Sequence, residues 1–305
     1  MKRTLLPLVS GLLALIFDVG FGIGGAHAKK KARAAAPAAA AAPAAAPAAA
    51  APVAAAAAAP AVPSVDVPGE RKLLLGADVD RAIGAARKLG NSRARAALDT
   101  LLDALALGLS PRVAAVAVEA AGAHAEPRAL DVLLYYATHR QVDVRVRAVE
   151  ALGQFDDKRA RVAVDRAYAD AHKVVRAAAC RDAERRKEKL AGPKLMALLV
   201  KGDEATSPAL AAIASPELAR QLAELVGIAP DALLAETLGR ILVRKDLGKE
   251  QVYVQIVESL GKVPGDEAEV QLATYAGAQE KIPRLSKRRA QDLLEQRSQG
   301  NKGTP

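Results

Sequence analysis

The fold is decided by the stretch DVRVRAVEALG, residues 143–153, because an earlier stretch of the chain has the same pattern. Residues 112–122, RVAAVAVEAAG, repeat its arrangement of small apolar and charged side chains, and the two copies lie 31 residues apart. A fixed period of this size is typical of proteins that stack short helical repeats. Such a protein offers an extended surface, which favours binding over catalysis.

The apolar residues of each copy are spaced as on one face of an amphipathic helix. Val113, Val116 and Ala120 lie at i, i+3 and i+7, and residues 130–137 continue with the same helical spacing after a short turn. The same two-helix pattern recurs over 142–171. No stretch alternates apolar and polar residues over the length of a strand. The sequence therefore predicts an all-α fold, an α-solenoid of helical hairpins.

Serine, proline and glycine predict where the helices begin and end. Ser-Pro pairs at Ser110, Ser207 and Ser215 each supply a capping hydroxyl followed by proline, which is favoured at the first helical position. Glycines that follow apolar runs are typical of helix ends. The predicted ends of this kind are Gly90, Gly122, Gly153 and Gly261.

Residues 144–153, followed by Asp157-Lys158-Arg159-Ala160, resemble the HEAT-repeat family, in particular its bacterial short-repeat branch, the PBS-lyase HEAT-like proteins. The resemblance is close over 110–190 and looser over 76–109 and 203–298. On this basis we expect about six to seven helix pairs over residues 70–298, with the last pair capping the stack.

The resemblance also has implications for individual residues. HEAT-like repeats commonly join adjacent units through an Asp–Arg ladder, and the resemblance implies Asp143 and Arg147 as members. Family members that act as di-iron hydroxylases use His-Glu dipeptides as metal ligands. Here His124, His139 and His172 precede Ala, Arg and Lys, so that activity is not expected.

No catalytic residue, cofactor or metal site is expected elsewhere. The sequence has no nucleophile elbow, phosphate-binding glycine loop or zinc-protease helix. Two histidines, His139 and His172, fall in linkers between units, but no third ligand completes a metal site. A catalytic site assembled from distant residues stays an open alternative.

The N-terminal residues 1–28 have the pattern of a signal peptide. Lys2-Arg3 precedes an apolar run over 5–17, and Ala26-His27-Ala28 has the small residues that a signal peptidase requires. Asp18 and several glycines interrupt the apolar segment before the roughly 20 residues that a membrane span needs, although an uncleaved anchor is the alternative. We therefore expect export to the periplasm or cell envelope of a bacterium.

Residues 29–69 begin with a basic cluster and continue as an alanine- and proline-rich segment. A proline every few residues removes amide donors and disfavours helix, so we expect a disordered linker. The linker is either a spacer or unstructured filler. Residues 299–305 are expected to be a disordered tail.

The net charge of +10 is unevenly distributed. Residues 70–280 hold 31 basic and 30 acidic side chains, which argues against a nucleic-acid-binding solenoid. The excess lies at the two ends, which either bind an anionic cell-wall polymer or membrane surface or are merely solvated. The candidate polyanion contacts are Lys29, Lys30, Lys31, Arg33, Arg284, Lys287, Arg288 and Arg289.

The only cysteine of the chain, Cys180, falls on a predicted first helix. A small buried thiol is the expected role, and a disulfide to another molecule is the alternative. With one cysteine, the chain forms no internal disulfide, so helix packing must stabilise it.

We interpret the chain as a non-catalytic scaffold that binds a protein partner on the concave face formed by the second helices. Aromatic residues are scarce, and tyrosine and arginine are favoured at interfaces. The candidate contacts are Tyr135, Tyr136, Arg140 and Tyr168, for which ordinary packing between helices is the alternative. The alternative function is an envelope-adhesion module that binds through its basic ends.

Overall fold

The computed structural model describes residues 65–92, 94–278 and 284–301. Within these ranges every regular element is helical, with fifteen α-helices, two short 3-10 helices and no strand. The predicted all-α fold is therefore confirmed. The predicted signal peptide and nearly all of the predicted linker lie outside the described residues.

The described helices form one leading helix and seven hairpins. The leading helix α1 spans Val67–Leu74, and its carboxylate cap is Asp66, which accepts from the backbone N–H of Gly69. The first helices of the hairpins are α2 (Val79–Asn91), α4 (Pro111–Ala123), α6 (Val142–Leu152), α8 (Lys173–Arg186), α10 (Thr206–Ile213), α12 (Asp231–Leu242) and α14 (Asp266–Gly277). The second helices are α3 (Arg95–Leu107), α5 (Leu130–Tyr136), α7 (Lys158–Ala167), α9 (Gly192–Val200), α11 (Pro216–Ala223), α13 (Glu250–Lys262) and α15 (Leu285–Asn301).

The hairpins stack in two layers. Each first helix packs on the first helix of the next hairpin, from α2 to α14, and together they form the first-helix layer. The second helices form the second-helix layer, and α1 packs on α2 and α3. One continuous apolar core, rich in alanine and leucine, lies between the layers. This arrangement confirms the predicted HEAT-like α-solenoid.

Glycines set the spacing of the first-helix layer. An added Cβ at Gly90 would lie 2.7 Å from the Cβ of Ala120, and one at Gly122 would lie 2.4 Å from the Cβ of Ala151. Real Cβ atoms do not approach so closely, so the helices touch because these glycines have no side chain. The prediction that Gly90, Gly122 and Gly261 end helices is corrected, since each lies inside its helix. Of the four glycines predicted to end helices, only Gly153 directly follows a helix, at the C-cap of α6.

The Ser-Pro pairs have two different roles. Helices α4 and α11 begin at the proline, as predicted. The hydroxyl of Ser215 caps α11 by accepting from the backbone N–H of Leu218 at 3.2 Å, whereas Ser110 forms no side-chain capping bond to α4, which corrects that part of the prediction. The prediction for Ser207 is corrected, because α10 begins at Thr206, two residues before the proline, and buries Ser207 in its first turn. Proline is tolerated there because the first turn has no intrahelical acceptors for its amides.

The last helix is held by a buried polar network. Glu250 of α13 accepts from the backbone N–H of Ser286 at 2.9 Å and from its hydroxyl, and the Tyr275 hydroxyl lies 2.7 Å from that same serine oxygen. Helix α15 then continues to Asn301. The predicted boundary is corrected, since the helix extends three residues into the segment 299–305.

No helix in the described part of the chain combines the length and apolarity that crossing a membrane requires. Cys180 is buried in α8, and burial raises the pKa of its thiol to about 12. A buried and protonated thiol suits the predicted packing role better than a disulfide to another molecule.

Candidate protein-binding groove

Arg145 and Arg176 lie near the starts of the first helices α6 and α8, and each binds a loop that follows a second helix. Arg145 of α6 binds Asp170 through two parallel hydrogen bonds, from Nε to Oδ2 at 2.9 Å and from Nη2 to Oδ1 at 3.0 Å. Its Nη1 donates to the backbone carbonyls of His139 and Arg140. Both side chains of the pair are largely buried. Arg145 therefore ties the loop before α6 to the loop after α7.

Arg176 repeats this arrangement one unit later. It lies 31 residues after Arg145 and binds Asp203 through Nε to Oδ2 at 2.6 Å and Nη2 to Oδ1 at 2.8 Å. Its Nη1 donates to the backbone carbonyls of Asp170 and Ala171. Asp170 thus takes part in both units, with its carboxylate in one and its carbonyl in the next.

The predicted ladder of Asp143 and Arg147 is corrected in part. Arg147 does pair with the preceding unit, but through Glu119 at 3.6 Å, and it also contacts Glu150 at 3.3 Å within α6. Glu150 in turn accepts from Arg181 of α8 at 2.6 Å. Asp143 is exposed and has no ion-pair partner in the described part of the chain. Its position, four residues before Arg147, leaves it on the solvent side of the helix.

The charge of Asp170 is stabilised by its hydrogen bonds. Burial alone would raise the pKa of this carboxyl group, but the hydrogen bonds from Arg145 and from the backbone N–H of His172 outweigh burial and lower the pKa. A carboxyl group whose pKa is lower in the folded state contributes stability above its unfolded pKa and loses it as the pH falls through its folded pKa.

We therefore predict that Asp170→Asn changes the acid sensitivity of the protein. The free energy of unfolding of the wild type should fall as the pH drops below about 4, where the unfolded carboxyl begins to bind protons. The difference in the free energy of unfolding between the wild type and Asp170→Asn should shrink over the same pH range. Urea denaturation between pH 6 and pH 3 measures both curves. Asp143→Asn is the matched control and should follow the wild type; a constant difference between wild type and Asp170→Asn would contradict the prediction.

A groove lies between α5 and α7 of the second-helix layer, bordered by the loop that Arg145 and Asp170 fix. Its volume is about 760 Å³, within the range of roughly 300–1,000 Å³ that is common for ligand clefts. The α5–α7 groove is defined by an apolar floor and a basic rim. The floor consists of Leu134, Ala137, Val162, Ala163, Ala167 and Val175. The basic rim consists of Arg140, Lys158, Arg159 and Arg166.

The rim has more positive charge than nearby carboxylates neutralise. Arg159 donates to Asp131 of α5 at 2.7 Å across the groove. Within the described ranges, no carboxylate oxygen comes within 4.0 Å of the charged atoms of Arg140, Lys158 or Arg166. All three side chains are exposed. The α5–α7 groove therefore combines an apolar floor with three uncompensated cations.

The four predicted contacts are divided between the surface and the core. Tyr135 is 71% exposed on α5 and Arg140 lies on the groove rim. The prediction is corrected for Tyr136 and Tyr168, which are only 6% and 7% exposed. Their hydroxyls donate to the backbone carbonyls of Leu105 and Ala179, at 2.8 Å and 3.2 Å. Burial also raises the pKa of both phenols. They are packing residues.

The exposed ring of Tyr135 borders a second groove, on the other side of α5. This α3–α5 groove is lined by Leu105, Leu109, Asp131, Tyr136 and His139, among others. Leu107, at the end of α3, is also exposed. Exposed apolar side chains therefore lie on three consecutive second helices: Leu107 on α3, Tyr135 on α5 and Val162 on α7.

Most of the C-terminal residues that were candidate polyanion contacts are engaged within the fold. The prediction is corrected for Lys287, which is only 4% exposed and whose Nζ donates to the backbone carbonyl of Ala278. Arg289 pairs with Glu258 at 3.4 Å, and the guanidinium of Arg284 lies 5.3 Å from the ring centroid of Tyr253. Arg288 is exposed. The candidates Lys29, Lys30, Lys31 and Arg33 lie outside the described residues.

Metal ligands are not clustered in the described ranges. No group of three or more His, Cys, Asp or Glu side chains there has the arrangement of a metal site. The side chain of His139 makes local contacts: its Nδ1 accepts from the backbone N–H of Gln141, and its ring stacks on Tyr136.

Sequence reasoning missed Lys158, Arg159, Val162 and Arg166 as residues of the groove. The period contained a signal for Arg145, because Arg176 lies at the equivalent position of the next unit. Arg159 and Arg166 lie seven residues apart, and Val162 lies between them at i+3, so the three share one face of a helix. That spacing could have indicated a basic face with an apolar centre.

The comparisons with known proteins concern the fold. A family model described as HEAT repeats matches residues 98–181. The complex of CpcE and CpcF of phycocyanin lyase from Nostoc sp. PCC7120 is similar at 20% identity and a TM-score of 0.40, covering 77% of this chain and 96% of that chain. Human deoxyhypusine hydroxylase in complex with glycerol is similar at 18% identity and a TM-score of 0.35, covering 75% and 96%.

An engineered protein is also similar, at 18% identity and a TM-score of 0.28, covering 78% of this chain and 98% of that chain. No curated protein matches the chain. The repeat at 143–153 falls within the matched segment, which confirms the resemblance drawn from the sequence. Residues 98–181 match the HEAT-repeat model, and in the structure the hairpins on either side of this segment continue the same stack.

Proposed function

We propose that this protein is an exported, non-catalytic scaffold of the bacterial cell envelope that binds a protein partner through its second-helix layer. Two observations carry the proposal: exposed apolar side chains lie on three consecutive second helices, at Leu107, Tyr135 and Val162, and Val162 lies beside an uncompensated basic rim. Exposed apolar residues rimmed by polar ones mark interaction sites. Tyrosine and arginine are the residues most often found at the energetic centres of interfaces.

Export is supported by the sequence pattern over residues 1–28 alone. The basic start, the short apolar run and the Ala26-His27-Ala28 site together are typical of a cleaved signal peptide. Expression of the full chain in a bacterial host, followed by fractionation and N-terminal sequencing, tests this step; a chain that stays in the cytoplasm with Met1 intact would contradict it.

The binding surface is tested by affinity capture from envelope extracts. The full chain should retain a partner that the double variant Tyr135→Ala, Arg140→Gln retains at least tenfold less, because both side chains are exposed on the proposed face. The matched control is Val270→Ala, Arg112→Gln, which removes one exposed apolar and one exposed basic side chain from the first-helix layer. Equal loss of the partner by both double variants would contradict the proposed face.

The alternative function, an adhesion module that binds anionic polymer through its basic ends, has less support. In the C-terminal segment Lys287 is buried and Arg289 is paired with Glu258, so these charges are used inside the fold. We therefore propose the protein-binding function alone.

A further inference from the structure

We propose that the α5–α7 groove binds an acidic, extended segment of the protein partner, with one apolar side chain on the groove floor and carboxylates at the rim. The inference rests on the proposed function and deepens it, because it names the chemistry of the segment that is bound.

The charge of the rim selects an anionic ligand. Arg140, Lys158 and Arg166 are exposed and lack carboxylate partners within the described ranges, while Arg159 is already paired with Asp131. Carboxylates of a ligand would meet three cations gathered around one cleft, whereas a basic ligand would meet like charges. Such complementarity raises the association rate and excludes partners of the wrong sign.

The geometry of the rim is set before any ligand binds. Arg145 holds the backbone carbonyls of His139 and Arg140 and, through Asp170, the loop after α7. The loop after α5 and the loop after α7, which border the groove, are therefore joined by one buried ion pair. A preformed site costs less ordering on binding than a flexible one.

The floor selects an apolar side chain. Val162 is 44% exposed at the centre of α7, and the small side chains of Ala163 and Ala167 on α7 and of Ala137 after α5 line the groove beside it. Covering this surface with a leucine or similar side chain would remove apolar area from water, at roughly 25 cal/mol per Å². Floor and rim together favour a segment in which carboxylates flank an apolar residue.

None of the residues outside the described ranges offers that chemistry, and acidic stretches within them, such as 266–269, belong to folded helices. Residues 1–64 contain one acidic residue, Asp18, and residues 279–283 and 302–305 contain only Glu280. The first of these segments includes the basic cluster 29–33, which the rim would repel. The occupant is therefore a segment of another molecule.

A nucleic acid fits the groove less well than an acidic peptide. Single strands bind along basic channels where aromatic side chains stack on the bases. The groove lining contains no Phe, Tyr or Trp, and three uncompensated cations make a short rim, not a channel. The apolar floor would have no role for a phosphate backbone.

Fluorescence anisotropy with the full chain tests the proposal. The probe is a labelled peptide, Gly-Glu-Asp-Leu-Glu-Asp-Gly, and we expect a dissociation constant below 1 mM that rises at least tenfold for Arg140→Gln, Arg166→Gln. Raising the salt concentration to 1 M should also weaken binding, because it shortens the Debye length to about 3 Å. The peptide with alanine in place of leucine should bind several-fold more weakly, and so should the wild-type peptide to Val162→Ser.

The matched control is Arg87→Gln, Arg112→Gln, which removes two exposed arginines from the first-helix layer. This variant should bind the peptide within twofold of the wild type. The proposal would be overturned if both double variants weakened binding equally or if the wild-type dissociation constant exceeded 1 mM. It would also be overturned if the chain bound a dT oligonucleotide, or a peptide with lysine in place of each acidic residue, more tightly than the acidic peptide. Circular dichroism of each variant confirms that the helices are kept.

The outcome separates this inference from the proposed function. If the envelope partner is lost by Tyr135→Ala, Arg140→Gln but retained by Arg166→Gln and Val162→Ser, the second-helix layer binds a partner and the groove inference fails. If the control variants of the first-helix layer lose the partner while the acidic peptide still binds the groove, the proposed face fails for the partner alone. Sedimentation of the free chain tests whether a second copy of the chain occupies the groove. A dimer that Arg140→Gln, Arg166→Gln dissociates would overturn the inference of a separate partner protein.

Discussion

Gly122→Ala should destabilise the protein by about 2 kcal/mol, although alanine is the better helix former. Gly122 lies inside α4, and its missing side chain lets α4 approach α6. An added Cβ would lie 2.4 Å from the Cβ of Ala151 and 3.2 Å from its Cα, so the two helices must separate. Overpacking of this kind costs about 1–3 kcal/mol, which exceeds the roughly 1 kcal/mol that alanine gains in helix propensity.

Gly84→Ala is the matched control for this prediction. Gly84 also lies inside a helix, α2, but no atom comes within 4 Å of an added Cβ. The same substitution should therefore stabilise the protein there, by about 0.5–1 kcal/mol. Thermal unfolding followed by circular dichroism measures both. If the two variants shifted the midpoint in the same direction, the close approach of α4 and α6 would be contradicted.

Arg176→Ala should lower the free energy of unfolding by about 2–3 kcal/mol. The substitution leaves the Asp203 carboxylate and the backbone carbonyls of Asp170 and Ala171 without their donor. The Asp203 side chain is only 13% exposed, so water replaces the lost bonds incompletely. We expect a smaller loss of stability than the roughly 3–5 kcal/mol that is typical when a fully buried ion pair is broken, because Arg176 keeps some contact with solvent.

Arg181→Ala is the control on the same helix. Arg181 pairs with Glu150 at 2.6 Å, but more than half of its side chain is exposed. Pairs of this kind contribute about 0–1 kcal/mol. Urea denaturation should therefore separate the two arginines clearly. Similar losses for both would show that burial does not set the strength of these pairs.

The stacked helices could be predicted from the sequence because their signal repeats. Residues 112–122 and 143–153 place small apolar residues on one helical face in two successive units, and the structure packs both faces in the core. At these positions the residues that favour helix are also the residues that the fold buries, so the local sequence pattern and the tertiary structure favour the same conformation.

The inter-repeat contacts could be predicted only in part. The choice of Arg147 over Arg145 came from a family resemblance, whereas the partner of Arg145 lies 25 residues away, in a loop that no helical pattern describes. Such long-range pairs depend on how the hairpins stack. The period nevertheless contained the answer, since position 176 is again arginine while position 178, the equivalent of 147, is alanine.

Helical phase could have separated the tyrosines. Tyr136 lies three residues after the buried Leu133, and Tyr168 lies four residues after the buried Val164, so both share the apolar face. Tyr135 lies out of phase with that face and is exposed. Scarcity of aromatics was a weaker guide to binding residues than their position around the helix. The groove itself could not be predicted, because it depends on the distance between α5 and α7.

Hydrogen exchange with and without the acidic peptide tests the central claim most directly, namely that the second-helix layer is the binding surface. With saturating peptide, the account predicts slower exchange in the segments that border the groove, 130–140 and 158–170, and unchanged exchange in α2, α4 and α6. Slower exchange confined to the first-helix layer, or none in either segment at saturation, would contradict it.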